Sequence, residues 1–163
     1  MSIRLDEFDA KILSLVQRDC QLTSEQIARH TGLSPSSVQR RLRRLRANKI
    51  VESEVAVVAP EAVGRALTAV VGVTLEREQP HIVAEFKRLL IEMPEVMQCY
   101  YVTGDADFIL IITAKDMQEY EAFLSRLFKQ NKHIKHIQTN VVIQRIKSGF
   151  TVPVELHTWK TQA

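Results

Sequence analysis

Two helix starts stand close together at Thr23 and Ser34, and one glycine, Gly32, separates them. No other feature limits the fold so strongly. Thr23 with Gln26 is a capping-box pair, in which each side chain satisfies a free backbone N–H of the first turn. Gly32 supplies the left-handed residue that ends a helix. Ser34 is a good N-cap, and Pro35 then takes the first helical position, where its missing N–H costs nothing. The result is a short helix, a tight turn and a second helix. An earlier stripe of Leu5, Phe8, Ile12, Leu15 and Val16 predicts another helix over about Asp6 to Arg18, capped by Asp6.

The stretch "LSPSSVQRRLRRLRANKI", Leu33 to Ile50, holds five arginines and a lysine but no acidic residue. Val38, Leu42 and Leu45 form its apolar stripe. At about 100° per residue, that stripe puts Ser36, Arg40, Arg43 and Arg44 on the opposite face. A capped basic helix after a glycine turn is the second helix of a helix-turn-helix, which enters the DNA major groove with its N-terminal residues at base edges. Ser36, Ser37, Gln39 and Arg40 are the candidate base readers, since Gln pairs with adenine and Arg with guanine. Ser34, Arg43, Arg44 and Arg46 are the candidate phosphate contacts. The helix should stop near Asn48, which tolerates the left-handed conformation.

Other readings are weaker. A solvated surface helix normally mixes charge signs. A membrane-surface helix needs bulky apolar groups on its free face. Sequence-reading RNA modules stack bases on exposed aromatics, and Phe86 alone lies between Phe8 and Tyr100. The following "VESEVAVVAP" alternates weakly, as a short wing or hairpin strand would.

Beyond "APEAVGRA", residues 59–66 and the expected linker, the pattern changes. Strands are expected at Leu67 to Leu75, Val96 to Val102, Phe108 to Ala114 and Ile137 to Ile146. Helices are expected at Pro80 to Met93 and Met117 to Lys129. That order is the ferredoxin-like βαββαβ plan, so the fold class is α+β with residues 1–58 and 67–150 as its domains. Both helices would cover one face of the sheet, yet "FILIITA" is apolar on both faces. A homodimer through the open face follows. It would present two recognition helices to a roughly palindromic site.

With these segments in view, the chain resembles the leucine-responsive regulatory protein / AsnC (feast/famine) family of transcription regulators. The matching segments are "LDEFDAKILSLVQRD", "LTSEQIARHTGLSPSSVQRRLRRL", "APEAVG" and "VTGDADFILIITAKDMQEYEAFL". The resemblance implies an N-terminal winged helix-turn-helix domain and a C-terminal effector-sensing domain. It implies dimers that assemble further, commonly to octamers, and control of amino-acid metabolism or transport by a free amino acid bound between sensing domains. By position it places the effector loop at Gly104, Asp105, Ala106 and Asp107, completed by Thr139 and Asn140. Asp105 or Asp107 would take the ammonium, and loop N–H groups the carboxylate. The plainer alternative is that Gly104 and the two aspartates only make a hairpin turn.

Two features depart from the family pattern. Lys49 stands where many relatives have glycine, which leaves Asn48 to cap the helix. The tail, residues 151–163, runs past the last strand; its early part is a candidate edge strand, and Trp159 is expected either to pack on a partner or to be disordered.

An enzyme is the rival class. The chain has no nucleophile motif, no phosphate loop and no His/Cys ligand set, so no catalytic residue, metal or cofactor is assigned. The nearer rival is an architectural DNA-binding protein that ignores amino acids. Cys20 and Cys99 fit no metal or redox spacing and are expected as small buried residues. An acidic N-terminus without a long apolar run argues against a signal peptide, and Phe108 to Ile112 is too short to span a bilayer. A cytoplasmic protein is expected. The net charge of +3 is mild, so the basic excess matters only where it is local.

Overall fold

The structure, a computed structural model, describes residues 4–76 and 79–154. It divides into two compact units. One contains the residues up to Ala56 together with those from Lys147 onward, and the other runs from Val57 to Ile146.

The first unit is built on three helices: α1 (Glu7–Val16), α2 (Ser24–Thr31) and α3 (Pro35–Ala47). Each starts where a side chain closes the first turn. Asp6 and Asp9 form a reciprocal capping box on α1, and Thr23 and Gln26 form another on α2. Gly32 ends α2 at φ 75°, and Ser34 caps α3 ahead of Pro35. Ile12, Leu13 and Val16 of α1, Ile27 and Ala28 of α2, and Val38, Leu42 and Leu45 of α3 bury together as one core. The apolar stripe of each helix therefore faces the other two.

The exit of α3 differs from expectation. Asn48 is the C-cap but is not left-handed, with φ −97°; Lys49 takes that conformation at φ 53°. The Asn48 side chain donates instead to the Arg44 carbonyl at 2.8 Å. The Lys49 N–H meets the Arg46 carbonyl at 3.0 Å and the Ile50 N–H meets that of Leu45 at 2.9 Å. That pair of bonds is a Schellman motif, which puts the left-handed residue one place beyond the cap.

Residues 52–59 are not in a paired strand, so the wing expected there is not seen among the described residues. A wing needs a second strand beside it, and the described residues of this unit include no strand. The chain returns to this unit at its end. Gln17, the C-cap of α1, accepts the Val152 N–H at 2.8 Å and donates to the Val152 carbonyl at 3.2 Å. Val154 packs on the same core. The segment from Lys147 to Val154 therefore belongs with the helices rather than with the sheet, and it adds no edge strand. Trp159 lies outside the described residues.

The second unit opens with a single 3-10 turn, Pro60–Val63, closed by Gly64 at φ 77°. Then come β1 (Leu67–Leu75), α4 (Pro80–Ile91), β2 (Val96–Tyr101), β3 (Phe108–Ala114), α5 (Met117–Gln130) and β4 (Ile134–Val141). The sheet order is β2-β3-β1-β4, and every neighbouring pair is antiparallel. This is the ferredoxin-like order. Ala69, Val71, Val73 and Leu75 of β1 and Phe108, Leu110 and Ile112 of β3 face the buried side chains of α4 and α5. Phe86 of α4 meets Phe108 edge-on with ring centroids 5.0 Å apart.

The last strand lies earlier than the expected Ile137 to Ile146. It starts at Ile134, whose side chain is buried in the helix-facing core. It ends where β1 runs out of partners: Val141 pairs with Ala69, and the Val142 N–H reaches the Thr68 carbonyl. Cys20 and Cys99 are free and exposed, contrary to expectation. Cys99 shares a face with buried Leu110 but lies on β2, an edge strand, where one flank of the side chain is left uncovered.

Lys49→Gly should stabilise the protein by about 0.5–1 kcal/mol, because the strain of a left-handed side-chain residue outweighs the added freedom of the unfolded glycine. Chemical denaturation followed by circular dichroism should show a higher midpoint with an unchanged slope.

Candidate DNA interface and effector loop

The first turn of α3 gathers three hydroxyls. Ser34 Oγ accepts the Ser37 N–H at 3.3 Å, donates to Ser37 Oγ at 2.9 Å and lies 3.1 Å from Ser36 Oγ. Ser36, Gln39, Arg40 and Arg43 are exposed, and Ser37 is half-buried. A helix N-terminus that carries exposed hydroxyls is suited to an anionic oxygen. Arg44 and Arg46 in the last turn complement the dipole at the other end.

The arginines do not form a uniform row of free cations. Within Leu33–Ile50 no acid accompanies them, but the fold supplies acids from elsewhere. Asp9 of α1 is 0% exposed. Its Oδ1 accepts Arg41 Nη1 at 2.8 Å, and its Oδ2 accepts Arg44 Nη2 and the Asp6 N–H. Asp6 also takes Arg41, at 2.7 Å, and Arg41 lies over the Phe8 ring. Burial works to raise the Asp6 carboxyl, but the Asp9 N–H and Arg41 hold it below its ordinary value. The Asp9 hydrogen bond raises Arg41 further. Arg46 pairs with Glu54 at 2.7 Å, with both groups partly exposed. Among the described residues, only Arg40 and Arg43 of the five arginines have no carboxylate partner. Arg44, expected at phosphate, is instead tied to a buried acid, and Arg41, Asp6, Asp9 and Glu54 were absent from the candidate set. The α1 motif "LDEFD" carried the signal, since Asp9 falls on the buried side of its helix.

The loop after β2 is locked onto β1. The Asp107 N–H donates to the Val73 carbonyl at 2.9 Å, and the Asp107 carbonyl accepts the Val102 N–H at 2.9 Å. The Asp107 carboxylate is buried and accepts the Leu75 N–H at 2.7 Å, beside the register shift between Thr74 and Leu75. Thr74 Oγ1 donates to the Asp105 carbonyl at 3.1 Å. Ala106 folds back over Gly72, where any Cβ would stand 3.4 Å from the Ala106 Cβ. Gly104 takes φ 135°, a conformation that L side chains rarely adopt, and is exposed. Asp105 is exposed, so of the two aspartates it is the one whose carboxylate faces solvent.

Thr139 and Asn140 are not brought together with this loop. Thr139 sits opposite Val71 on the helix-facing side, its hydroxyl 2.6 Å from that of buried Tyr120. Burial pushes the Tyr120 phenol up, with Thr139 opposing. Asn140 points to the open face opposite Val70, roughly 13 Å along β1 from Thr74 at about 3.3 Å per residue. Within one chain, the β4 residue level with the loop on that face is His136, opposite Thr74. Sequence spacing alone gave no signal for His136, because its position depends on the β1–β4 register.

A helix-turn-helix with an outward basic helix, joined to an open-faced βαββαβ unit, defines a DNA-binding regulator with a ligand-sensing module. Residues 5–46 match the AsnC-type helix-turn-helix domain, and residues 68–152 match the Lrp/AsnC ligand binding domain. The chain belongs to the Lrp/AsnC family of HTH-type transcriptional regulators. An uncharacterised HTH-type transcriptional regulator of Sinorhizobium fredii is 51% identical over 95% of this chain and 92% of its own. The DNA-binding transcriptional activator DecR of Escherichia coli is 29% identical over 93% of this chain and 99% of its own. A transcriptional regulator of Neisseria meningitidis, solved as a complex with L-Met, superposes with a TM-score of 0.85 at 30% identity, covering 91% of this chain and 96% of that one.

Asp107→Ala should destabilise the sensing unit by about 1–3 kcal/mol, since it leaves the Leu75 N–H buried without an acceptor. Thermal unfolding should show the loss with no amino acid present. An unchanged melting point would mean that the carboxylate does not hold β1.

Proposed function

We propose that the protein reads one half of an operator with each copy of α3 and is modulated by an amino acid at the Gly104–Asp107 loop. The observation that carries the DNA-reading part is the outward set of Gln39, Arg40 and Arg43, exposed beyond the serine-rich first turn, with no carboxylate partner for either arginine among the described residues. Ser36, Ser37, Gln39 and Arg40 meet base edges; Ser34 and Arg43 meet phosphate. Arg46 joins them readily, because an exposed pair such as Arg46–Glu54 is worth at most about 1 kcal/mol.

The second copy comes through the open sheet face. Half-buried Val70, Ile109 and Ile111 lie there beside Gly72 and exposed Tyr100. An apolar face of this kind favours a homodimer, and further assembly to octamers fits the family. In the effector loop, Asp105 takes the ammonium and the glycine-opened backbone the carboxylate. Asp107 shapes the loop rather than touching the ligand. Thr139 is spent on Tyr120, and Asn140 lines the pocket only from another copy. The regulated genes are those of amino-acid metabolism or transport, and the protein works in the cytoplasm, where its DNA is. No catalytic step, metal or cofactor is needed for any of this.

Arg40→Ala should cost about 1–3 kcal/mol at one base position and relax preference there, whereas Arg43→Ala should weaken all duplexes alike and reduce the salt slope by about one. Binding to a randomised duplex pool, read by sequencing, separates the two; equal losses across sequences for both would refute the division of roles.

Melting against the twenty amino acids tests the effector. A ligand at one hundred times its Kd adds about 2.7 kcal/mol, a shift of roughly 5–10 °C, and Asp105→Ala should abolish it without changing DNA binding. No shift with any amino acid would favour the effector-independent architectural reading.

A further inference from the structure

We propose that Asp9 is a specificity-determining residue that acts by withholding Arg41 and Arg44 from DNA phosphates. Four facts carry this. Asp9 is fully buried beneath α3, and its carboxylate is the shared acceptor of both guanidinium groups. Arg41 is clamped twice, by Asp9 and by Asp6. Arg44 is 42% exposed, so its burial is not what keeps it from DNA. At about 100° per residue, Arg44 stands roughly 40° round the helix from Arg40, on the flank of the outward face.

An arginine free at that place would find a phosphate, because duplex DNA offers one charge per about 1.7 Å of axis. Such a contact carries no sequence information. It would strengthen binding to every site, including the great excess of irrelevant ones. The pairing with Asp9 turns those two charges inward and uses them to fix the rotation of α3 about its axis. Sequence-independent binding stays small, and Gln39 and Arg40 stay in register for base edges. Asp9 is thus a positioning residue that touches no DNA itself.

Without altering the net charge of the chain, the arrangement also lowers the charge that this basic helix presents. Its charge is partly neutralised by design of the fold, from α1 and from Glu54, rather than by acids interspersed along its own face.

The test measures binding of the full-length protein to a random-sequence duplex between 50 and 200 mM salt. Asp9→Asn should bind that duplex more tightly than the unsubstituted protein, with a steeper salt dependence. Each released arginine adds about 0.9 to the slope, so lowering salt fourfold should widen the gap between the two proteins about 3.5-fold per arginine. Arg44→Gln should leave both affinity and slope as they were, and Asp9→Asn with Arg44→Gln should give back about one unit of slope. A residue that was merely structural would do the opposite, since loss of fold lowers affinity and flattens the slope. If Asp9→Asn does not fold by circular dichroism, Arg44→Gln decides alone. A weaker, flatter response in Arg44→Gln, or a folded Asp9→Asn with an unchanged slope, overturns the proposal.

Discussion

The carboxylate of Asp9 organises the DNA-binding unit. A buried acid is expensive unless every lone pair it presents is used, and Asp9 spends its two oxygens on the N-terminal turn of α1 and on two arginines of α3. One group thereby caps one helix and fixes another. The buried stripe of Val38, Leu42 and Leu45 turns the opposite side of α3 outward, but hydrophobic contact is itself non-directional. The ion pairs are directional, and they tie α3 to α1 at Arg41 and Arg44. Removing one side of such a buried pair is costly chiefly because the other side is left unsatisfied.

The sensing unit depends on a similar device at smaller scale. Where β1 and β4 lose register between Thr74 and Leu75, the Asp107 side chain takes the Leu75 N–H. The loop that carries Asp107 is then pinned at both of its backbone ends, and Gly72 is small enough for Ala106 to lie across it. The rigidity leaves Gly104 and Asp105 as the exposed tip. A loop held this way has its conformation already set, which is the condition under which binding to it would cost little entropy.

Much of this was legible locally. Thr23, Gln26, Gly32, Ser34 and Pro35 fix the helix-turn-helix, because caps and glycine turns act over a few residues. The strand β1 and the strand β3 were found at their observed limits, because Val-rich and Ile-rich runs with clear flanks leave little choice. The last strand was misplaced, because its start, Ile134, sits among Lys132, His133, Lys135 and His136 and looks like surface. The expected wing failed for a related reason: alternation in "VESEVAVVAP" shows that a segment can be a strand, not that a partner lies beside it. Asp107 reads as a ligand group in sequence; that its carboxylate also accepts the Leu75 N–H depends on a bulge that cannot be seen without the register.

The sequence by itself determined the order of elements, the capped basic helix and the membership of one family, since each rests on short-range periodicity or on motifs. Only the tertiary structure decided which charges are available. Asp9 and Arg41 are thirty-two residues apart, and Arg46 finds Glu54 only after the chain turns back at Lys49. Ion pairing falls steeply with distance and depends on burial, and neither distance nor burial is written in the linear order of residues.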